Sequence, residues 1–441
     1  MWTSPPTCAR TCIPPSRRRR STTMSTAPQT PARRQDAVGH QPHTLCLAAL
    51  NQLVEPNDVT AAALLELMTP AELLALIRRE DHVPQGLGLK LAEATGQQPA
   101  PNSAQDLHVA LTRWRKRLPY ANEHAALQTM QRLGGGLLTD QDPGWPAQLG
   151  DLGLGRPLCL WWRAAEPGNL AGDPARTVSI VGSRDASDYG NQVTFELARA
   201  LGLQGFTIVS GGAYGIDAAA HRAALSLDGW DFPNPPTITI LAGGADRLYP
   251  AGNHNLLEQV IARGALYSEV PPGITPTRFR FLNRNRLIAA FSRLTIVTEA
   301  RHRSGALNTA SHAVELGRDV AAVPGSVFSP NSAGTHRLIR SGAAELISSP
   351  AEASELLGIA PDAPAGTASA EPGDPRQRPV DGLPVEVGML YDVLSFTKPM
   401  SPDEISARSG VTILQTLRGL STLQGRGLAV RNDAGWKLVR S

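Results

Sequence analysis

Between residues 177 and 323 the chain repeats one pattern: a short β-branched, apolar run that stops abruptly at small residues. Val178, Ile180 and Val181 stop at Gly182-Ser183-Arg184, and Ile208 and Val209 stop at Ser210-Gly211-Gly212. Thr237 to Leu241, Leu266 to Val270, Leu294 to Val297 and Val320 to Val323 follow suit, ending near Gly243-Gly244, Pro271-Pro272-Gly273, Glu299-Ala300 and Pro324-Gly325. Runs without polar alternation suit strands buried on both faces, as in a parallel sheet covered by helices. Between the first two, Val193, Leu197, Ala200 and Leu201 recur at a helical period from Tyr189 to Leu203. Such βαβ units predict an α/β fold built on an extended Rossmann-like, doubly wound and mostly parallel sheet. Ligands of such sheets bind beyond the carboxyl ends of the strands, where the small-residue clusters fall.

The pattern changes on either side. Residues 1–43 form a basic head rich in Pro, Ser, Thr and Arg, with Arg17 to Arg20 as a block, and are expected to be disordered. Residues 44–118 read as an all-helical domain of the SAM or helix-hairpin type. Leu45, Leu47, Leu50, Leu53 and Val54 share one helical face, and Leu64, Leu65, Leu67 and Met68 mark a second helix. Thr69-Pro70-Ala71-Glu72 is a capping box with proline at the first helical position, before Leu73, Leu74, Leu76 and Ile77. The sheet domain, 119–357, opens with a lead-in segment that turns at Asp142-Pro143 and Trp145-Pro146 and enters a strand near Leu158, Leu160 and Trp161.

Residues 358–384, rich in Pro, Ala, Gly and Asp, read as a flexible linker. In 385–441 three helical segments precede a hairpin of Leu428 to Arg431 and Trp436 to Val439, the pattern of a winged helix. Its third helix carries only Arg418 and Arg426 near its end. That is a poor phosphate-binding surface, so a protein contact or weak duplex binding is favoured.

Composition adds little to this. Net charge is +3, and with lysine only at 90, 116, 398 and 437, arginine carries almost all the positive charge. Cys8, Cys12, Cys46 and Cys159 give neither a disulfide framework nor a zinc site. No apolar run reaches the length of a membrane span, so a soluble, cytoplasmic protein is expected.

Placement of the arginines says more. Arg278, Arg280, Arg284, Arg286 and Arg293 follow one another with no acid among them, and Phe279 and Phe281 interleave with the first of them. Bases stack on aromatic rings while arginines hold the backbone, which suits single-stranded nucleic acid. The bland alternative puts a phenylalanine in the core and the arginines on a wet surface. The strand-end glycines let a ligand approach the backbone, helix N-termini offer unpaired N–H groups, and Arg184 adds a planar phosphate donor. Ser304, Gly305, Asn308 and Thr309 either donate to a phosphate at the next helix start or simply cap it. Neither G-x-G-x-x-G nor a P-loop is present, which disfavours a dinucleotide or an NTPase. Asp217, His221 and Asp246 match no metal-site spacing, and Asp217 is expected to cap or orient its turn.

These motifs together resemble the DprA/Smf family. The similarity lies in V-G-S-R at 181–184, S-G-G-A-Y-G-I-D at 210–217 with His221, and the glycine-to-asparagine stretch from Gly244 to Asn253. It continues in S-E-V-P-P-G at 268–273, F-x-x-R-N-R at 281–286, S-G-A-L-N-T-A at 304–310 and V-P-G at 323–325. The resemblance implies a homodimeric protein of natural transformation, without cofactor or enzymatic activity, that protects incoming single-stranded DNA and loads the RecA recombinase onto it. By motif, Gly182, Ser183 and Arg184 would contact the DNA backbone and Phe281 would stack a base. Arg278, Arg284, Asn285 and Arg286 would line the groove, and Gly211, Gly212 and Ser304 to Thr309 would add phosphate contacts. The flanking domains would reach duplex DNA or a single-strand binding protein. The alternative is a Rossmann-like nucleoside monophosphate phosphoribohydrolase. The loop comparable to that enzyme's P-G-G-x-G-T-x-x-E signature lacks its acid, and Glu299 and Glu315 are the nearest candidates.

Overall fold

The computed structural model describes residues 41–79, 83–96, 103–166, 170, 173–227, 229, 230, 232–359, 383–432 and 435–439. Most of the basic head and most of the linker lie outside the described residues. The chain divides into two compact units, one ending at Ile359 and the other beginning after it.

The first unit is built on a nine-stranded sheet. Its strands are β1 (Gly135–Leu138), β2 (Leu160–Arg163), β3 (Thr177–Val181), β4 (Thr207–Ser210), β5 (Thr237–Leu241), β6 (Ala265–Ser268), β7 (Leu294–Val297), β8 (Asp319–Ala322) and β9 (Glu345–Leu346). They lie in the order β1-β2-β6-β5-β4-β3-β7-β8-β9. From β6 to β9 every neighbour pairs in parallel, while β2 joins β1 and β6 antiparallel. This is a mixed α/β fold on a large, mostly parallel sheet. Every residue of β3, β4, β5, β6 and β7 is buried, as unalternating apolar runs require. Several hydroxyls within these strands donate to carbonyls: Thr177 Oγ1 to Phe291 O at 2.6 Å, Ser179 Oγ to Ile288 O at 2.8 Å, Ser210 Oγ to Ile180 O at 2.7 Å; Thr239 Oγ1 and Thr295 Oγ1 have no partner among the described residues.

Helices cover both faces. Leu287, Ile288 and Ala290 of the helix Arg278–Phe291, with Ala306, Leu307 and Ala310 of Gly305–Glu315, pack on Val181, Val209, Ile240 and Val297. Leu197 and Leu201 of Asp188–Leu203, with Ala220 and Ala223 of Ile216–Leu225, pack on the opposite face, against Val178, Ile180, Ile208 and Ile296. Strand order reverses at the β3–β7 pair: β4, β5 and β6 follow on one side, β8 and β9 on the other. The crevice at the carboxyl ends of β3 and β7 is therefore the topological switch point.

The N-terminal helices, from Pro42–Leu53 to Ser103–Arg115, bury Leu50, Leu53, Leu64, Leu73, Ile77 and Trp114 in a core that also takes in Cys159 from the lead-in to the sheet. The Thr69–Glu72 capping box is present, with Thr69 N–H donating to Glu72 Oε2 at 2.8 Å and Glu72 N–H to Thr69 Oγ1 at 3.3 Å. These helices belong to the same compact unit as the sheet rather than to a separate one. Asn51 shows how: its Nδ2 donates to Glu269 O at 2.9 Å, and its Oδ1 accepts from Trp161 Nε1 at 2.8 Å.

The second unit holds helices Val385–Val393, Pro402–Ser409 and Ile413–Gly425 and an antiparallel hairpin, β10 (Ala429–Asn432) and β11 (Gly435–Leu438). Leu390, Ile405, Leu420, Leu423 and Trp436 form its core. Gly410, at a left-handed φ of 72°, closes the second helix.

Candidate nucleic-acid interface

A cavity of about 690 Å³ opens at the switch point. Its walls come mainly from four places, and Tyr249, from the segment after β5, joins them. The turn after β3 supplies Gly182, Ser183, Arg184 and Asp185, and the turn after β4 supplies Ala213 and Asp217. The loop after β7 supplies Arg301, Arg303 and Ser304, and the helix it enters supplies Gly305 and Thr309. The helix Arg278–Phe291 and its N-cap supply Thr277, Arg278, Phe281, Leu282, Arg284 and Asn285.

Local geometry explains the small residues. A Cβ on Gly182 would stand 2.8 Å from Glu299 O, and one on Gly215 2.3 Å from Ser183 O. Only glycine lets the turns after β3 and β4 pass this closely, and Gly215 also sits at φ 72°. Two helices begin at the cavity. Thr277 caps Arg278–Phe291 by accepting from Arg280 N–H, and Ser304 caps Gly305–Glu315 by accepting from Ala306 N–H, both at 3.3 Å. Their positive dipole ends and spare N–H groups favour an anion here.

The charges are unbalanced. Five arginines line the cavity, at 184, 278, 284, 301 and 303, against two aspartates, Asp185 and Asp217. Arg301 pairs with Asp185 at 2.6 Å. Arg284 is buried beside Asp217 and donates to Ile240 O at 2.5 Å, leaving its Nε without a partner among the described residues. Burial pulls the Arg284 guanidinium down to about 10, the Asp217 charge opposes this, and the group stays cationic at neutral pH. Burial likewise pushes the Asp217 carboxyl up, against the pull of Arg284. Arg184, Arg278 and Arg303 are exposed and have no carboxylate within ion-pair distance among the described residues. Arg184 lies instead over the Phe281 ring, 4.6 Å from its centroid, and Tyr249 stands 6.0 Å away on another side.

Most of the residues expected from the sequence meet here, but four do not line the cavity. Arg286 is buried: its guanidinium grips Glu269 at 2.7 and 2.8 Å and donates to Gly155 O at 2.8 Å. It is a strut between the basic helix, the segment after β6 and the lead-in segment. Gly211 lies under Arg284, where a Cβ would meet Nη1 at 1.9 Å, and Gly212, at φ 69°, packs against Thr239. Asn308 accepts from Asn285 Nδ2 at 3.2 Å and so braces a lining residue.

The basic helix thus has two sides. Arg280 donates to both oxygens of Glu55, at 3.0 and 3.2 Å, and Asn283 to Pro56 O at 3.1 Å, so one side holds the N-terminal helices. Arg278, Phe281, Arg284 and Asn285 form the other. Neither Phe279, 64 % exposed, nor Phe281 is core; Phe291 takes that place. Sequence reasoning left Tyr249, Arg301 and Arg303 out of the site. The last two stand directly before the Ser304 cap, and that position was the available signal.

Asp217 accepts from Ala213 N–H at 3.3 Å and so orients its turn. His221 is fully buried, with Nδ1 2.7 Å from Thr237 Oγ1, and burial lowers it to about 3. Asp246 accepts from Gly273 N–H at 2.8 Å. Among the described residues no group of three or more His, Cys, Asp or Glu side chains is placed to hold a metal ion. Nor is any single helix among them long and apolar enough to cross a membrane.

Fold and cavity together define an α/β protein with an arginine-rich cavity at the switch point of its sheet. Residues 136–358 match the family described as DNA recombination-mediator protein A. A Mycobacterium tuberculosis relative bearing the DprA name is 37 % identical over 408 residues, 89 % of this chain and 94 % of its own. The Streptococcus pneumoniae DNA processing protein DprA is 40 % identical over 187 residues, 42 % of this chain and 62 % of its own. The crystal structure of DNA processing protein A from Streptococcus pneumoniae superposes with a TM-score of 0.52 and 30 % identity, covering 70 % of this chain and 97 % of that one. The chain belongs to the DNA recombination-mediator protein A family. It is by that membership a DNA-processing recombination mediator and not a nucleotide-cleaving enzyme. The two glutamates weighed for such an enzyme have other tasks: Glu299 accepts from Ser187 Oγ at 2.6 Å, and Glu315 pairs with His312 at 3.1 Å.

Proposed function

We propose that this chain binds single-stranded DNA in the switch-point cavity without regard to base sequence, shields it, and loads the RecA recombinase onto it as a homodimer. One observation carries the reading: three arginines without a carboxylate partner among the described residues, Arg184, Arg278 and Arg303, line one cavity with Phe281, over whose ring Arg184 lies, where two helices begin. Phosphates meet the arginines and the N–H groups of the Ser183 turn and the Ser304–Gly305 helix start. A base stacks on Phe281, whose other face-partner Arg184 is free to swing to a phosphate.

The second unit is read as a winged helix. Its third helix leaves Ile413, Leu414 and Leu417 exposed and carries no acid, a surface better suited to a protein such as single-strand binding protein than to duplex phosphates. Fluorescence anisotropy of the full chain with a labelled oligothymidylate, and a duplex as control, tests the main reading. The single strand should bind more tightly than the duplex. Arg184→Ala should cost about tenfold or more, the worth of one charge-assisted hydrogen bond. Equal affinity of both variants, Arg184→Ala and Phe281→Ala, with the parent would overturn it.

A further inference from the structure

We propose that a second cavity on the same edge of the sheet receives a nucleobase of the DNA strand whose phosphates occupy the first. The inference rests on the single-stranded DNA reading above and extends the path of the strand toward the turn after β8.

The second cavity, about 490 Å³, lies among the turns after β3, β7 and β8, and Tyr189, Glu299, Ser326, Ser329 and Ser332 are among its walls. Asn331 joins it to the first. Its Oδ1 accepts from Arg301 Nε at 2.8 Å, on the first cavity's rim, and its Nδ2 donates to Asp185 O at 2.8 Å and to Glu299 Oε2 at 3.4 Å. The turns after β3 and β8 are two strand spacings apart, about 10 Å. A strand lying across Arg184 and Arg301 therefore reaches the second cavity within a few nucleotides.

The chemistry of the two cavities is complementary. Among the described residues no lysine or arginine lines the second, and the one charge that does is the buried Glu299 carboxylate. That carboxylate holds Ser187 through the backbone N–H at 2.9 Å and the hydroxyl at 2.6 Å. A phosphate placed there would meet a fixed like charge. A base would not: it is uncharged, its N–H groups suit a carboxylate, and its carbonyls suit serine hydroxyls. Phosphates thus fall to the arginines of the first cavity and a base to the hydroxyls of the second.

Aromatic rings stand ready beside it. Tyr189, 48 % exposed, is pinned by its hydroxyl donating to Pro324 O at 2.7 Å. Phe328 is 95 % exposed, next to Val327 at 79 %. This is no loose loop end. Ser329 N–H donates to Ser326 O at 3.0 Å and Phe328 N–H to Ser326 Oγ at 3.2 Å, a turn that holds the Phe328 backbone between two residues of the cavity wall with the ring out in solvent. Aromatic rings held along an arginine-lined path are the platforms on which successive bases stack.

The test uses the full chain and labelled oligothymidylates. Short ones fill only the first cavity, long ones span both, and a single abasic site is moved stepwise through the long one. The parent should bind the long oligonucleotide at least about tenfold more tightly than the short, the gain of one stacked base. Phe328→Ala, a change at an exposed position, should remove that gain and leave short-oligonucleotide affinity unchanged. One abasic register should reproduce the loss in the parent and add nothing in the variant. Unchanged binding of both lengths by Phe328→Ala and Tyr189→Leu overturns the proposal. So does a change in molecular mass by light scattering without a change in DNA affinity, which would make Phe328 a contact between copies. If Arg184→Ala also binds both lengths like the parent, the single-stranded DNA reading itself has failed.

Discussion

Arg286 is a buried strut where its neighbours on the helix line the cavity, and Arg286→Met measures what it holds. In the folded chain the side chains of Arg286 and Glu269 are only 3 % and 7 % exposed, and two parallel hydrogen bonds join them. Methionine fills much of the same volume but leaves the Glu269 carboxylate buried without its partner. Breaking a buried pair in this way costs about 3–5 kcal/mol. For a unit of this size that lowers the melting temperature by on the order of 10 °C. Glu269→Gln added to Arg286→Met should restore at least half of the loss, because no buried charge is left. Urea unfolding of the parent, both single variants and the double variant supplies the cycle. A loss below about 1 kcal/mol in Arg286→Met, the range of exposed pairs, would refute the reasoning. So would a fully stable variant that has lost DNA affinity, which would put Arg286 back in the groove.

Other expectations follow from the same contacts. Gly211→Ala places a Cβ against Arg284 Nη1 and should drive the guanidinium off Ile240 O, weakening both thermal stability and DNA binding; a crystal structure with Arg284 unmoved would contradict this. His221 stays neutral in the fold, lowered from 6.5 to about 3, so its share of stability is present above about 6.5 and is lost as pH falls toward 3. His221→Asn should flatten the dependence of unfolding free energy on pH between about 6 and 4 by up to one proton, ~1.4 kcal/mol per pH unit. Equal slopes in parent and variant would count against a neutral His221. Arg280 and Glu55 are partly exposed, so a double-mutant cycle between them should give a coupling of about 0.5–1 kcal/mol, and none if the N-terminal helices dock by other contacts alone.

The strands from β3 to β8 were legible because burial on both faces leaves no polar alternation, and the turns were legible because glycine marks close passages. Two strands were not. β1 opens with Gly135-Gly136, which carry no side-chain pattern, and β9 is two exposed residues, Glu345 and Leu346. The cavity was legible in outline through Arg184, Phe281 and the Ser304 turn. The fate of each arginine was not, because the deciding partners are remote in sequence. Glu55 is 225 residues from Arg280, and Glu269 reaches Arg286 only after β6 and the basic helix fold together. A segment that reads as five like charges is in the fold a helix bearing four of them, with Arg280 and Arg286 paired to remote glutamates and Arg293 beyond its end. Gly211 misled for a similar reason: its missing Cβ makes room for Arg284, not for a ligand.

The most direct test of the central claim is the salt dependence of binding to an oligothymidylate, in the parent and in Arg184→Ala/Arg278→Ala/Arg303→Ala. Three unpaired arginines on single-stranded DNA predict a log–log slope less steep in the variant by about 2, at ~0.7 per phosphate neutralised. The account predicts that difference together with a large loss of affinity at low salt. Parallel lines of equal slope would contradict it and place the DNA elsewhere on the molecule.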